Sequence, residues 1–299
     1  MPRRADWEAT LRGWSKPPGD DERRRCENAL GVVERAVRAY APLEGKKLAF
    51  YIKGSYSNGT NVKVDSDVDV GVCYRDGCYN TYAHGLSRES VGLELHDYRI
   101  EDLRHDVQTA LVCSFGSGAK PGPIAIHMHE NTYRVRADVV PCFEHRWYYR
   151  AGDGSIAYHK GEWIQPVGRD AITNWPDQNY RNGVSKNDRT GRRFKAMARS
   201  LKALRNEMEE DGASAAVPIC SFLLESLVWN VPDDRFGNDL YTTDLRNVLL
   251  FLWNGTEGPG GCDGWFEVNR LKNLFDPKQT WTRAEVRAFI HAAWNYVGL

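Results

Sequence analysis

The sequence lacks closely spaced cysteines of the kind that bind zinc or form a disulfide framework. Its seven cysteines are scattered and none forms Cys-x-x-Cys, which argues against a disulfide framework or a zinc knuckle. No apolar run approaches the roughly 18 residues of a membrane span, and the stretch MPRRADWEATLRGW lacks the apolar core of a signal peptide. We therefore expect reduced thiols and a cytoplasmic protein without a membrane partner.

The sequence also lacks an excess of either charge. Lys+Arg and Asp+Glu both number 40, so the formal net charge is zero. This balance argues against a basic coat that holds duplex nucleic acid, although a local basic cleft remains compatible with it. With 299 residues, of which 41% are hydrophobic, the chain is long enough for two moderate domains or one large one.

The hydrophobic pattern changes along the chain. Its first part mixes helical and strand periodicity, whereas after about residue 175 helical periodicity prevails. The predicted helices are 21–41, 99–114, 189–210, 219–229, 239–253 and 282–297, and the predicted strands are 48–52, 68–74, 124–128 and 133–141. This order predicts an α+β fold, with residues 1–165 as one lobe and 166–299 as a helical lobe.

Two aspartates interrupt a valine-rich strand. Asp67 and Asp69 lie in the run Asp-Val-Asp-Val-Gly-Val, and residues two apart on a strand project from the same face. Such a pair repels itself unless a cation lies between the carboxylates, and carboxylates are the ligands that Mg²⁺ prefers. The alternative is a solvated strand end.

A third acid and a Gly-Ser pair make the pattern more specific. Asp138 lies on an alternating strand that could pair antiparallel with the first, and three convergent carboxylates are typical of two-metal phosphoryl transfer. Gly54 allows close backbone approach, and Ser55 can contact phosphate oxygens. The alternative for Gly54-Ser55 is a turn that ends the strand.

These residues carry a resemblance to a known family. The strings GSYSNGTNVKVDSDVDVGV and RVRADVVPCFEHR resemble the DNA polymerase β-like nucleotidyltransferases and, more narrowly, the cGAS/DncV-like nucleotidyltransferases of bacterial anti-phage (CBASS) systems. The similarity covers residues 50–145 and continues less specifically through NGVSKNDRTGRRFKAMARSLKALRNEM and PICSFLLESL. It implies a catalytic lobe with a mixed, mostly antiparallel sheet, and a helical lobe that closes the nucleotide pocket.

The resemblance also implies an activity. Family members join nucleoside triphosphates into cyclic dinucleotides or trinucleotides, release pyrophosphate, and act on a separate effector through the product. Asp67, Asp69 and Asp138 match the acids that bind two Mg²⁺ ions, for which Mn²⁺ could substitute. The expected enzyme is a monomer.

Other binding residues follow from the same resemblance. Ser55 and Ser221 match phosphate-contacting serines, Lys202 matches a helix lysine that reaches the triphosphate, and Phe222 stands where an aromatic residue stacks on a base. From spacing alone, Lys202 shares a helix face with Lys195 and Arg199, and such a face is commonly solvated. Ser221 could instead cap a helix.

Two further sites are hypotheses from side-chain chemistry. Asn174 lies in a loop-rich connection, where its amide could read a base edge, although a turn role is the simpler explanation. His127 and His129, with Cys142 and His145 downstream, could form a zinc site; histidines on a strand face are the plainer interpretation.

Two other functions remain open at this stage. A template-independent synthase of linear oligonucleotides, such as a 2′–5′ oligoadenylate synthase, would need the same three acids. A catalytically silent nucleotide-binding regulator would not, and the intact acids argue against it. The sequence leaves open the bases that are joined and the linkages between them.

Overall fold

A computed structural model describes residues 6–62, 67–92, 97–258 and 260–299. The chain divides into two compact units. The sheet unit consists of the described residues of Gly19–Ser57 and Ser66–Asp177, and the helical unit consists of those of Met1–Pro18, Asn58–Asp65 and Gln178–Leu299. Residues 63–66, which directly precede Asp67, lie outside the described residues.

The regular elements follow in chain order. The helices are Trp7–Trp14 (α1), Asp20–Arg38 (α2), Gly54–Asn58 (α3), Arg88–Val91 (α4), Ile100–Phe115 (α5), Pro176–Arg189 (α6), Arg193–Glu210 (α7), Ser221–Asn230 (α8), Tyr241–Gly255 (α9) and Arg283–Val297 (α10). The strands are Leu48–Lys53 (β1), Val68–Tyr82 (β2), Ala119–Pro121 (β3), Ile126–Met128 (β4), Ala137–Arg150 (β5), Ile156–Ile164 (β6) and Ile172–Asn174 (β7).

One mixed sheet contains all these strands. Its order is β1-β2-β5-β4-β3, with β6 paired to β5 and β7 paired to β6. Only β2 and β5 run parallel among the described pairs, and the other ladders are antiparallel. The α+β class and the mostly antiparallel sheet expected from the sequence are therefore confirmed.

Alternation along β2 gives the sheet two chemically different faces. Val68, Val70 and Val72 are fully buried, in a core that also contains apolar residues of α2 and α5. Asp69 and Gly71 alternate with these valines and face the other side. The hydrophobic face fixes the register, because a slip of one residue would bury the acid and expose the valines.

The helical unit has a separate hydrophobic core. It is formed by the amphipathic faces of α7, α8, α9 and α10 together with Leu11 of α1. The beginning of α10 shows the local sequence logic: the Thr282 hydroxyl accepts from the Glu285 N–H, and the Glu285 carboxylate accepts from the Thr282 N–H. This capping box satisfies backbone donors that the helix itself cannot satisfy.

Several elements differ from those expected. The second strand extends to Tyr82 rather than residue 74, and the strand expected from residue 133 begins at Ala137. Helices α1, α3, α4 and α6 and strands β3, β6 and β7 were not expected. The unit boundary follows Asp177 rather than residue 165, and the segment from Asn58 belongs to the helical unit, which a single linear boundary cannot represent.

Candidate active site

The three acids lie in the sheet unit. Asp69 of β2 is paired directly with Asp138 of β5, so the two carboxylates share a face on neighbouring strands. Asp67 lies just before β2 begins at Val68. The expected antiparallel pairing is wrong, because β2 and β5 run parallel. The chain between them contains α5 and the hairpin β3–β4, which supply the crossover that a parallel pair needs.

Basic side chains accompany two of the acids. Arg136 Nε lies 2.9 Å from Asp67 Oδ1 and 3.1 Å from Glu130 Oε2. His127, opposite Asp138 in the β4–β5 ladder, places its Nδ1 atom 2.7 Å from Asp138 Oδ1. Within the described ranges, no group of three His, Cys, Asp or Glu side chains is arranged to hold a metal ion. To bind a metal ion, the acids would therefore have to rotate away from Arg136 and His127.

The chemistry of the acids nevertheless fits a divalent cation. Carboxylate oxygens are hard ligands of the kind that Mg²⁺ and Mn²⁺ bind. Asp67 Oδ1 is buried, and despite the nearby guanidinium it accepts no hydrogen bond of suitable geometry. Arg136 therefore offsets charge at Asp67 without saturating its carboxylate oxygens.

Burial makes this acidic face unfavourable when metal-free. Burial raises the pKa of Asp69 to about 6; Lys53 counteracts the increase, and Asp138 adds to it. Burial also raises the pKa of Asp67, and Arg136 opposes that change. A bound cation would favour the ionised form of each acid.

Gly54 lies against Asp69. It adopts a φ of 65°, in the left-handed region that side chains other than glycine rarely adopt. A Cβ atom at this position would lie 2.1 Å from Asp69 Oδ2. Ser55 follows in α3, a short helix that comes directly after β1. Glycine is therefore required twice over, by backbone conformation and by the nearby carboxylate.

A buried ion pair accompanies the acids and was missed from the sequence. Lys53, at the end of β1, donates to Glu162 Oε2, and Glu162 Oε1 accepts from the Tyr51 hydroxyl at 2.6 Å. Burial alone would lower the pKa of Lys53, but Glu162 raises it above its ordinary value, so the ammonium stays charged. A lysine at position 53, within an apolar strand, could have indicated a buried charge with a partner. Nothing in the sequence around Glu162 identified it as that partner.

Asn174 is the last residue of β7 and is half-buried. Its Cα is paired with Glu162 of β6, and the next residue, Trp175, is buried. Asn174 therefore lies at a strand end in the sheet unit rather than in a turn. Its hypothesised contact with a base stays a prediction.

The remaining expected binding residues belong to the helical unit. Lys202 is 2% exposed, and its ammonium donates to Thr60 O, Thr60 Oγ1 and Glu225 Oε2 at 3.1, 3.1 and 2.8 Å. The alternative of a solvated basic face is wrong for Lys202 and also for Arg199, which is 7% exposed. A triphosphate contact by Lys202 stays a prediction, and these bonds would have to open for it.

Ser221 and Phe222 begin α8. Ser221 is the first helical residue, and Cys220 occupies the N-cap position, so the capping alternative for Ser221 is wrong. The Ser221 hydroxyl accepts from Arg205 Nη2 at 3.0 Å. Phe222 is half-buried, with its ring centroid 6.3 Å from that of Trp281. Their phosphate and base contacts stay predictions.

The zinc alternative receives no support from the described side chains. His127 is engaged with Asp138, while Cys142 is fully buried, 3.7 Å from the Tyr51 hydroxyl. His145 is buried against Trp163 and Trp175. These residues serve the acid site or the packing around it.

Across residues 6–62, 67–92, 97–258 and 260–299, no helix combines the length and apolar character that a membrane crossing requires.

Comparison with known proteins gives consistent matches. A family model for the cGAS/DncV-like nucleotidyltransferase C-terminal helical domain matches residues 181–298. A cyclic dipyrimidine nucleotide synthase, CdnE, of Legionella pneumophila is 39% identical, covering 98% of each chain. The CdnE of Cecembia lonarensis, of the same name, is 37% identical over 97% of this chain and 98% of its own.

A solved structure supports the fold over the whole length. The Elizabethkingia meningoseptica CdnE cyclic dinucleotide synthase, determined with GTP and Apcpp, superposes with a TM-score of 0.82 and 31% identity. The match covers 98% of this chain and 100% of that one. The sheet unit and the helical unit therefore both have counterparts in it.

Proposed function

Because this chain belongs to the cGAS/DncV-like nucleotidyltransferases and is a cyclic dinucleotide synthase, we propose that its product is a cyclic dipyrimidine dinucleotide. The identity of 39% and 37% to two synthases of that name, over nearly the full length, carries this proposal. Within it, the product serves anti-phage defence by activating a separate effector, and the enzyme acts as a cytoplasmic monomer.

The acids of the sheet unit would organise the reaction. A ribose hydroxyl of one nucleotide attacks the α-phosphorus of another, and pyrophosphate leaves; a second such step closes the ring. Asp67, Asp69 and Asp138 would hold two Mg²⁺ ions, with Mn²⁺ as a substitute. When bound, these cations lower the pKa of the attacking hydroxyl and neutralise charge on the leaving group.

Neighbouring residues would prepare the acids and the substrates. Gly54 admits the Asp69 carboxylate close to the backbone, and Ser55 would donate its hydroxyl to a phosphate oxygen. His127 Nδ1 lies 2.7 Å from Asp138 Oδ1, and this contact orients the carboxylate. Lys202 and Ser221 would contact phosphates, and Phe222 would stack on a base.

Product analysis tests the proposal. The purified enzyme is incubated with Mg²⁺ and each α-labelled nucleoside triphosphate, alone and in pairs, followed by phosphatase treatment and mass spectrometry. We expect a phosphatase-resistant dinucleotide from UTP or CTP, alone or together. The Asp138→Asn variant is the control for contaminating activity. A product made only from purines would overturn the choice of bases, and a phosphatase-sensitive product would overturn cyclisation.

Asn174→Ser tests the proposed base contact. Serine has a smaller polar group that cannot pair with a base edge through both a donor and an acceptor. We expect the ratio of kcat/KM for pyrimidine over purine triphosphates to fall about 10-fold. The exposed Asn254 of α9 provides a matched control, because Asn254→Ser should leave that ratio unchanged. An unaltered ratio in Asn174→Ser would remove the base-reading role.

A further inference from the structure

Lys53 is the direct cross-strand neighbour of Asp69. The two residues are paired in the β1–β2 ladder, and side chains directly opposite each other have Cβ atoms about 5 Å apart. Lys53 is only 8% exposed, so its attraction to a nearby carboxylate is weakly screened. Because of its length, the Lys53 side chain is able to form a direct ion pair with Asp69, which would compete with a metal ion.

Glu162 draws the ammonium in another direction. This residue of β6 is 1% exposed, and its Oε2 atom accepts the hydrogen bond from Lys53 Nζ. Its other oxygen, Oε1, accepts from the Tyr51 hydroxyl at 2.6 Å. The Tyr51 ring fits against Gly71, where a Cβ atom would lie 2.7 Å from the ring. Two donors on β1 therefore fix the Glu162 carboxylate.

We infer that Glu162 is a positioning residue for metal binding: by engaging Lys53, it keeps the ammonium from pairing with Asp69. The Asp69 carboxylate then remains available to a divalent cation, and its local charge is not cancelled. This inference rests on the proposed metal role of Asp69. It assigns a function to a buried ion pair that, by itself, would contribute little net stability.

Glu162→Gln tests the inference with little change in shape. The glutamine carbonyl can accept from Lys53 and its NH₂ group can donate to the Tyr51 hydroxyl, so both hydrogen bonds survive while the charge is lost. We expect the Kd for Mn²⁺ to rise about 10-fold. The measurement is the electron paramagnetic resonance signal of free Mn²⁺, titrated with nucleotide-free protein.

The double variant Lys53→Met/Glu162→Gln separates this role from a structural one. With the ammonium removed, nothing competes for Asp69, and Mn²⁺ affinity should return to the wild-type value or exceed it. If Glu162 served packing alone, adding Lys53→Met to Glu162→Gln would weaken Mn²⁺ binding further or leave it weak. Lys53→Met alone is less informative, because it leaves the buried Glu162 unpaired.

Two controls complete the experiment. Asp233→Asn removes the carboxylate partner of the buried Lys186 in the helical unit, so it should lower stability without changing Mn²⁺ affinity. Tyr51→Phe removes one of the two donors that fix the Glu162 carboxylate, so Glu162 should hold Lys53 less firmly. We expect Mn²⁺ binding to weaken about 2-fold to 3-fold, and this variant replaces Glu162→Gln if that variant fails to fold.

The outcomes distinguish the inference from the proposed function. Wild-type Mn²⁺ affinity in Glu162→Gln, no recovery in the double variant, or equal weakening in Asp233→Asn would each overturn the positioning role. Asp69→Asn is titrated in parallel. If it binds Mn²⁺ as tightly as the wild type, the proposed metal role of Asp69 itself fails.

Discussion

Asp69→Asn is expected to reduce cyclic dinucleotide synthesis at least 1,000-fold, a loss of about 4 kcal/mol in transition-state stabilisation. Asparagine has nearly the same shape, but it lacks the charge with which a carboxylate binds divalent cations. The measurement is product formed per minute with saturating Mg²⁺ and nucleotides. Synthesis within 10-fold of wild type would contradict the assignment of Asp69.

The same substitution should stabilise the metal-free protein at pH 8. Burial raises the pKa of Asp69 to about 6, against about 3.9 in an unfolded chain. Between these values the folded state binds the proton more tightly, so stability from this group is present below about pH 4 and is lost as pH rises through about 6. Above pH 6 the wild type therefore carries an unfavourable buried charge.

Thermal unfolding in EDTA measures this effect. We expect Asp69→Asn to raise Tm by a few degrees at pH 8, and to raise it much less at pH 5, where the wild-type carboxyl is largely protonated. A variant that is less stable than the wild type at pH 8 would show that Lys53 stabilises the ionised form more than burial disfavours it.

Gly54→Ala is the second large expected effect. The new methyl group would lie 2.1 Å from Asp69 Oδ2, so the carboxylate has to move, and a displacement of about 1 Å at a reacting centre costs on the order of 100-fold in rate. We expect kcat to fall by about that factor. The measurement is the rate of synthesis at saturating substrate and metal.

Gly45→Ala is the matched control. Gly45 has a φ of 75° and no heavy atom within 4 Å of an added Cβ, whereas Gly54 has a φ of 65° and the nearby carboxylate. Both variants should lose about 1 kcal/mol of stability through left-handed backbone strain, but Gly45→Ala should keep wild-type kcat. Equal kcat losses in the two variants would point to backbone strain rather than to the carboxylate.

The sequence alone determined the fold class and the chemical type of the site. Valines that alternate with Asp67 and Asp69 predicted a strand with one buried and one acidic face, because side chains alternate on a strand. The third acid, Asp138, was recognisable by the same alternation. Local patterns of this kind need no knowledge of which strands are neighbours.

Only the tertiary structure decided how distant segments meet. The parallel pairing of Asp69 with Asp138 depends on a crossover that contains α5, and alternation is identical in parallel and antiparallel strands. Because Lys202 is buried, its ammonium forms three hydrogen bonds with Thr60 and Glu225. Helical spacing alone was equally compatible with a solvated face. The partnership of Lys53 with Glu162 likewise spans strands far apart in the chain. Side-chain partners depend on packing and local dielectric, which sequence periodicity does not contain.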